Sequence, residues 1–137
     1  MTGSLVKVNP DRERVKSILS MVNTTLNMIS CVDNGKFTSN VTKEYYEVIR
    51  ELMTAVLLLD GYKTVGEGAH KALIDYLRGN YSTITLNEIL LINNLRITRN
   101  KVCYEGFLVK EVYLRRKVEA IQSIIYKLKE IINEKLG

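Results

Sequence analysis

Apolar residues recur every three to four positions along most of the chain, and this is the period of an amphipathic helix. The longest such stripe lies on residues 109–135 and comprises Val118, Ile121, Ile125, Leu128 and Ile132. Comparable stripes occupy residues 10–33 and 40–60. No segment alternates polar and apolar residues over enough length to indicate a sheet. The pattern therefore predicts an all-α fold.

Residues with strong preferences for helix ends set the bounds of the first two helices. Asn9 can cap the first helix, and Pro10 suits its first position, where a missing N–H breaks no hydrogen bond. That helix is expected to stop near Asp33–Gly35. The second helix is predicted over residues 40–60, because Gly61 follows it as a C-terminal stop.

The spacing of a capping box predicts where the third and fourth helices start. In this motif a Ser or Thr side chain and a Glu or Gln three residues later satisfy each other's backbone N–H groups. The two matching pairs are Thr64–Glu67 and Thr85–Glu88. These helices are predicted to end at Gly79 and Gly106, and a fifth helix is predicted over residues 109–135.

Short connections between long amphipathic helices make sequence neighbours run antiparallel. We therefore predict an up-and-down antiparallel bundle of four long helices plus one shorter helix, in a single domain of residues 1–137 with a flexible segment at 1–8. A chain of this length buries roughly two-thirds of its unfolded surface, so it needs neither a disulfide nor a structural metal. The apolar stripes can form the core or a dimer interface.

The net charge of +5 is unevenly distributed. Residues 1–95 carry ten basic and ten acidic side chains, whereas residues 96–137 carry ten basic and five acidic ones. A local basic excess favours a phosphate-bearing or acidic partner. A solvated basic helix is an equally good explanation of the same charge.

The sequence carries no sign of membrane insertion or secretion. The longest unbroken apolar run is Ala55–Leu59, far short of the ~20 residues that cross a bilayer, and residues 1–10 lack the apolar core of a signal peptide. We therefore expect a cytoplasmic protein without membrane contact. Cys31 and Cys103 are accordingly expected to be free thiols.

Metal-binding patterns are weak. The segment from Glu67 to His70 has the Glu-x-x-His spacing of di-iron bundles, but those bundles need two such motifs and this chain has one. Glu67 is better explained as the partner of the Thr64 cap. We expect no metal ion and no cofactor.

One helical face carries several acidic residues. Glu44, Glu47 and Glu51 lie along it and suggest a pair of carboxylates for acid–base chemistry. Because Arg50 interrupts this face, we interpret it as a solvated surface instead.

The end of the fourth predicted helix concentrates groups that can bind phosphate. These are Arg96, Arg99, Asn100, Lys101 and Tyr104. A guanidinium can grip phosphate through two hydrogen bonds, and a tyrosine ring can stack on a base or donate to a phosphate oxygen. The alternative is that these cations merely offset the negative end of the helix dipole.

Two stretches resemble HEPN (higher eukaryotes and prokaryotes nucleotide-binding) domains. LRITRNKVCYEG, at residues 95–106, is similar to the signature region of that family. LLLDGYKTVGEGAHKALIDYL, at residues 57–77, is similar to the corresponding helix-turn-helix of archaeal and bacterial members. The resemblance spans most of the chain from the second helix onward.

The resemblance implies an all-α bundle that dimerises, with the motifs of the two copies facing each other across a basic cleft. Many HEPN domains are metal-independent RNases whose site is an Arg, a polar neighbour and, after four to six residues in all, a His. Others pair with a small nucleotidyltransferase in toxin–antitoxin systems, and some have lost catalysis. Arg99 matches the motif Arg and Asn100 its polar neighbour, whereas Tyr104 stands at the His position.

Tyr104 is the departure from the family pattern. An unperturbed tyrosine has a pKa near 10, so it is a poor base at neutral pH, although nearby cations can lower that value. On a straight helix Arg99 and Tyr104 also point about 140° apart. His70 can supply the missing imidazole only if the bundle or a dimer brings it to the cleft.

These observations lead to one expected function and two alternatives. We expect a HEPN-like homodimer that binds RNA or nucleotide phosphate through Arg96, Arg99, Lys101 and Tyr104 and is weak or inactive as a nuclease. The first alternative is a metal-independent RNase toxin of a toxin–antitoxin system, with Arg99, Asn100 and Tyr104 as catalytic residues. The second is a non-catalytic assembly partner of a small nucleotidyltransferase.

Overall fold

The computed structural model describes residues 3–137 and contains five helices and a small two-stranded sheet. The strands are β1 (Ser4–Lys7) and β2 (Tyr62–Val65). The helices are α1 (Arg12–Cys31), α2 (Thr38–Asp60), α3 (Ala69–Asn80), α4 (Leu86–Glu105) and α5 (Glu111–Leu136). The prediction of a mostly helical bundle is confirmed.

Helix α2 forms the centre of the bundle and contacts each of the other four helices. Most of its residues are buried, because apolar side chains surround almost its whole circumference. The exception is a narrow polar strip that includes Glu47, Arg50 and Thr54. This strip places charged side chains next to the core.

The predicted ends of α2 and α4 are close to the observed ones. Gly61 and Gly106 cap the two helices in the left-handed conformation, with φ of 88° and 65°. At the start of α4, Glu88 N donates to Thr85 Oγ1 at 3.2 Å, and Thr85 N donates to the Glu88 carboxylate at 2.9 Å. The predicted capping box is therefore present in α4.

The capping box predicted at Thr64–Glu67 is wrong. Thr64 belongs to β2 and pairs with Leu5 of β1. Gly66 and Gly68 follow with φ of 85° and 80°, which ends the extended segment in a turn. Helix α3 therefore begins at Ala69, with Gly68 as its N-cap.

The sheet itself was not predicted. Strands β1 and β2 pair antiparallel, with Ser4 opposite Val65 and Lys7 opposite Tyr62. Residues 4–7 of the segment that we expected to be flexible thus form a strand, while residues 1–2 lie outside the described part of the chain. Strands of four residues are too short to show a period of two, and their partner lies far away in sequence.

Helix α1 starts two residues later than predicted. Asp11, rather than Asn9, is its N-cap and accepts a hydrogen bond from Arg14 N at 3.0 Å. Pro10 thus precedes the helix. None of the helices within residues 3–137 combines the length and the apolar character that a bilayer crossing requires.

Asp60, at the C-terminal end of α2, links three helices. Its Oδ2 accepts hydrogen bonds from the hydroxyls of Tyr76 and Tyr81 at 2.8 and 2.5 Å. Its Oδ1 lies 2.6 Å from Lys135 Nζ, in the last turn of α5. The network therefore joins α2 to α3 and to α5, with Tyr81 at the end of α3.

Candidate functional site

The phosphate-binding residues predicted on α4 divide between two sides of that helix. The Arg99 side chain is only 16% exposed, and its Nη1 donates to Asn100 Oδ1 at 3.1 Å. Arg96 is half-buried, and its Nε donates to Asn93 Oδ1 at 3.1 Å. These residues lie against the rest of the bundle.

Lys101 and Tyr104 lie on the outer side of α4. Tyr104 is 77% exposed, and Lys101 Nζ sits 5.7 Å from the centroid of the Phe107 ring. The helix stays regular as far as Glu105, so the angular separation expected between Arg99 and Tyr104 applies to this helix. The Tyr104 hydroxyl nevertheless lies close enough to the Arg99 guanidinium to raise its pKa, so Tyr104 borders the site from its exposed side.

Helix α2 supplies an ion-pair network beneath Arg99. Oε1 of Glu47 lies 3.4 Å from Arg99 Nε and 3.4 Å from Arg50 Nε. Nη2 of Arg50 lies 2.9 Å from Glu51 Oε1. Glu47 and Arg50 are 23% and 25% exposed, so the solvated acidic face predicted for α2 is wrong at these two positions. They form part of the site instead.

The pKa of Arg99 reflects this surrounding. Burial lowers the pKa of the guanidinium, and the Glu47 carboxylate, followed by Cys103 and Tyr104, more than offsets that effect. The result is a pKa above the usual arginine value, so Arg99 stays charged at every accessible pH.

The packing of α2, α3 and α4 brings His70 into the same region. His70 is half-buried in the first turn of α3, and its ring centroid lies 6.2 Å from that of Tyr46. Burial lowers its pKa, and the positive charges of Arg50, Arg99 and Arg96 lower it further against the opposing effect of Glu47. The imidazole is therefore neutral at pH 7 and can accept a proton.

The metal pattern considered for Glu67 and His70 does not form on one helical face. Glu67 lies in the turn before α3, whereas His70 lies within the helix. Within residues 3–137, no three His, Cys, Asp or Glu side chains come together in a group that could hold a metal ion.

Two buried donors in this region have no hydrogen-bond partner within residues 3–137, namely the Tyr46 hydroxyl and Arg99 Nε. The contact of Arg99 Nε with Glu47 has the distance of an ion pair but not the geometry of a hydrogen bond. Burial raises the pKa of Tyr46 to about 12, against the opposing effect of Arg50 and Arg96, so its hydroxyl keeps its proton. Both groups are thus donors that lack an acceptor.

We call the group formed by Tyr46, Glu47, Arg50, His70, Arg96 and Arg99 the basic cluster. Sequence reasoning identified Arg96 and Arg99 and left His70 open, but it missed the three residues from α2. A weak signal was present, because Tyr46 and Arg50 are one helical turn apart and therefore share a face. Which residues lie against this face depends on how the helices pack, and local sequence patterns carry no information about that packing.

Helix α4 also has an apolar outer side. We call the exposed residues Leu86, Leu90, Ile97 and Tyr104 the outer stripe, because their spacing of four and seven residues places them in one row. The opposite side of α4 buries Ile89, Ile92 and Leu95 in the core. This helix is therefore apolar on two sides.

No family model, curated protein or solved structure matches the chain. The HEPN resemblance consequently rests on the residues at 57–77 and 95–106.

Proposed function

We propose that the chain is a HEPN-like protein that binds RNA or nucleotide phosphate at the basic cluster, as a homodimer, with weak or absent nuclease activity. The observation that carries this proposal is the pair of buried donors, Tyr46 Oη and Arg99 Nε, that lack an acceptor beside three guanidinium groups. An unsatisfied buried donor costs about 1–3 kcal/mol. Because Tyr46 is fully buried, a phosphate oxygen would remove that cost only if the side chains that cover these donors moved aside.

The charge of the basic cluster also favours an anion. Glu47 contacts both Arg50 and Arg99, and Glu51 contacts Arg50 as well. Within residues 3–137, Arg96 has the amide of Asn93 as a partner and no carboxylate. With His70 neutral, the cluster and the adjoining Glu51 hold three positive charges and two negative charges, and the remaining positive charge of this partly buried site attracts phosphate.

The homodimer is supported by the outer stripe of α4. Four exposed apolar or aromatic side chains in one row resemble the centre of a protein interface more than an ordinary surface. A second copy that covered this stripe would bring Asn100, Lys101 and Tyr104 of the two chains together. The HEPN resemblance implies the same arrangement, with two motifs facing each other.

RNA binding at the basic cluster predicts that affinity falls steeply with salt and depends on Arg99. Replacing Arg99 with Gln removes charged hydrogen bonds worth about 1.5–3 kcal/mol, so we expect binding to weaken by about 10- to 100-fold. The slope of log affinity against log salt should decrease by about 1. Fluorescence anisotropy with a labelled single-stranded RNA measures both quantities.

Two variants accompany this measurement. Arg115→Gln is the matched control, because Arg115 is an exposed residue of α5 that pairs with Glu111. Tyr46→Phe tests whether the buried hydroxyl of Tyr46 contributes to RNA binding. It should weaken binding without unfolding the protein, since it removes only an unpartnered hydroxyl. Salt-independent binding, or equal losses in the Arg99 and Arg115 variants, would contradict binding at the basic cluster.

The position of His70 favours a second candidate function, a metal-independent RNase. In that reaction the ribose 2′-oxygen attacks the phosphorus, the bond to the 5′-oxygen breaks, and a 2′,3′-cyclic phosphate and a 5′-hydroxyl result. A neutral imidazole near Arg99 could take the 2′-hydroxyl proton, water would supply the proton to the leaving 5′-oxygen, and the guanidinium would stabilise the charge on the phosphate oxygens. His70 would then perform the role that the family pattern gives to the residue at position 104.

RNA cleavage in EDTA tests this second candidate. If His70 acts as the base, His70→Gln should lower the cleavage rate by about 10²- to 10⁴-fold, whereas Tyr104→Phe should leave it nearly unchanged. The rate of the unmodified protein should rise with pH through a pKa below the usual histidine value, since His70 must be neutral. If the unmodified protein yields no products, the RNase candidate is excluded and the binding proposal remains.

A further inference from the structure

A cavity of about 230 Å³ lies between α1, α2, β2 and α3, and nothing in the proposed function uses it. Its polar lining consists of Arg14, Arg50, Thr54, Lys63, Thr64 and His70. Arg50 and His70 also belong to the basic cluster, but Arg96 and Arg99 do not line this cavity. We call it the α1–α3 pocket.

The α1–α3 pocket is positively charged. Arg14, Arg50 and Lys63 contribute three cations, of which Arg50 also pairs with Glu47 and Glu51 behind the cavity, and no acidic residue lines the cavity itself. Within residues 3–137, neither the Arg14 guanidinium nor the Lys63 ammonium forms an ion pair. All three cations come from residues 1–95, where the overall charge is balanced, so their convergence arises from the fold.

Further donors point to the same ligand chemistry. No ring nitrogen of His70 has a hydrogen bond within residues 3–137, so the imidazole is free to donate or accept. His70 also lies in the first turn of α3, where Ala69 N donates to Gly66 O, the N–H groups of His70 and Lys71 have no intrahelical acceptor and the N-cap Gly68 offers no side chain. A helix start beside three cations favours an anion with several oxygens.

The volume of the α1–α3 pocket and its other lining residues indicate what class of ligand it can hold. Drug-sized ligands occupy pockets of roughly 300–1,000 Å³, so this cavity fits a smaller molecule. Thr54 Oγ1 donates to Arg50 O at 2.9 Å and keeps lone pairs that can accept from a ligand hydroxyl. Leu57, Leu58 and Leu73 complete the lining with apolar surface.

We propose that the α1–α3 pocket binds a phosphomonoester, with its phosphate held by Arg14, Arg50 and Lys63. The group can come from a small sugar phosphate or from the 5′-phosphate end of an RNA strand. Binding in this pocket does not require the proposed RNA binding at the basic cluster, because Arg14 and Lys63 belong to the pocket alone.

His70 makes this proposal directly measurable, because it is the only histidine in the chain. Its imidazole proton resonance in an NMR spectrum therefore needs no assignment. We expect ribose 5-phosphate to shift that resonance saturably at constant ionic strength and to raise the pKa of His70, since a bound dianion favours the charged imidazole. Ribose without phosphate should do neither.

Matched variants locate the binding. Lys63→Gln and Arg14→Gln should each weaken ribose 5-phosphate binding by at least about fivefold, because each removes one charged contact. Lys71→Gln is the control, since Lys71 is one residue beyond His70 but pairs with Asp75 outside the pocket. Equal effects of Lys63→Gln and Lys71→Gln, or no saturable shift at millimolar ligand, would overturn the proposal.

Two RNA oligonucleotides of one sequence, with and without a 5′-phosphate, distinguish the sources of the ligand. A preference for the phosphorylated strand that is lost in Lys63→Gln identifies an RNA end. Equal binding of both strands, together with saturable binding of ribose 5-phosphate, identifies a small molecule. A third outcome is that Arg99→Gln loses RNA binding while the His70 resonance does not respond to ribose 5-phosphate. That outcome would support RNA binding at the basic cluster and overturn phosphate binding in the α1–α3 pocket.

Discussion

Replacing Leu52 with alanine is expected to lower the free energy of unfolding by about 2–5 kcal/mol. Leu52 is fully buried in α2, the helix that contacts all the others. The cavity left by Leu52→Ala cannot be closed by moving a single neighbouring helix. The decrease in the free energy of unfolding should therefore be near the upper end of that range. Domains of this kind have about 5–15 kcal/mol in total, and urea denaturation followed by circular dichroism measures the change.

Leu90→Ala is the matched control for this experiment. Leu90 lies in the outer stripe of α4 and is 58% exposed, so its truncation should cost less than about 0.5 kcal/mol in the monomer. If the homodimer covers the outer stripe, this cost should grow as the protein concentration rises, because association stabilises the folded state. If Leu52→Ala and Leu90→Ala lowered the free energy of unfolding equally at low protein concentration, the central position of α2 would be contradicted.

Asp60→Asn is expected to destabilise the protein by about 2–3 kcal/mol, because Lys135 and both tyrosine hydroxyls lose their charged acceptor and the new amide NH2 faces either Lys135 or the two hydroxyls. The Asp60 side chain is only 15% exposed, so water replaces these contacts poorly. Asp75→Asn is the control. Asp75 pairs with Lys71 in an exposed ion pair, and its loss should cost less than about 1 kcal/mol.

The hydrogen-bond network of Asp60 also predicts how the free energy of unfolding depends on pH. Burial raises the pKa of the Asp60 carboxyl, but hydrogen bonds from Lys135, Tyr81 and Tyr76 outweigh it and leave the pKa below its usual value. The stabilisation is therefore complete above the unfolded-state pKa of about 3.9 and is lost as the pH falls through the lower folded-state value. Unfolding free energies measured from pH 6 downward should decline less steeply in Asp60→Asn than in the unmodified protein.

The two capping boxes explain how far the fold could be predicted. Thr85–Glu88 and Thr64–Glu67 have the same spacing, yet only the first starts a helix. Thr64 instead pairs with Leu5, some sixty positions earlier, and Gly66 then turns the chain. Local sequence motifs therefore predicted a helix start correctly at Thr85 and failed at Thr64, where the same residues pair with a strand that is distant in sequence.

The candidate site was predictable only on α4. The cations at residues 96 and 99 follow from composition at a helix end, and the resemblance assigned a role to Arg99. Tyr46 belongs to no local sequence motif, and sequence reasoning assigned it no role. Its unsatisfied hydroxyl, and the approach of His70, appear only when three helices are assembled.

The last turn of α5 meets the beginning of α1, where the Arg12 guanidinium donates to the backbone oxygens of Lys135 and Leu136. During synthesis, α1 to α4 leave the ribosome first, and the side of α2 that α5 covers stays bare until the 26 residues of α5 have followed. Newly made chains with such uncovered apolar surface are prone to aggregate. The side of α2 that packs against α5 is therefore open to aggregation in the nascent chain until α5 has been made.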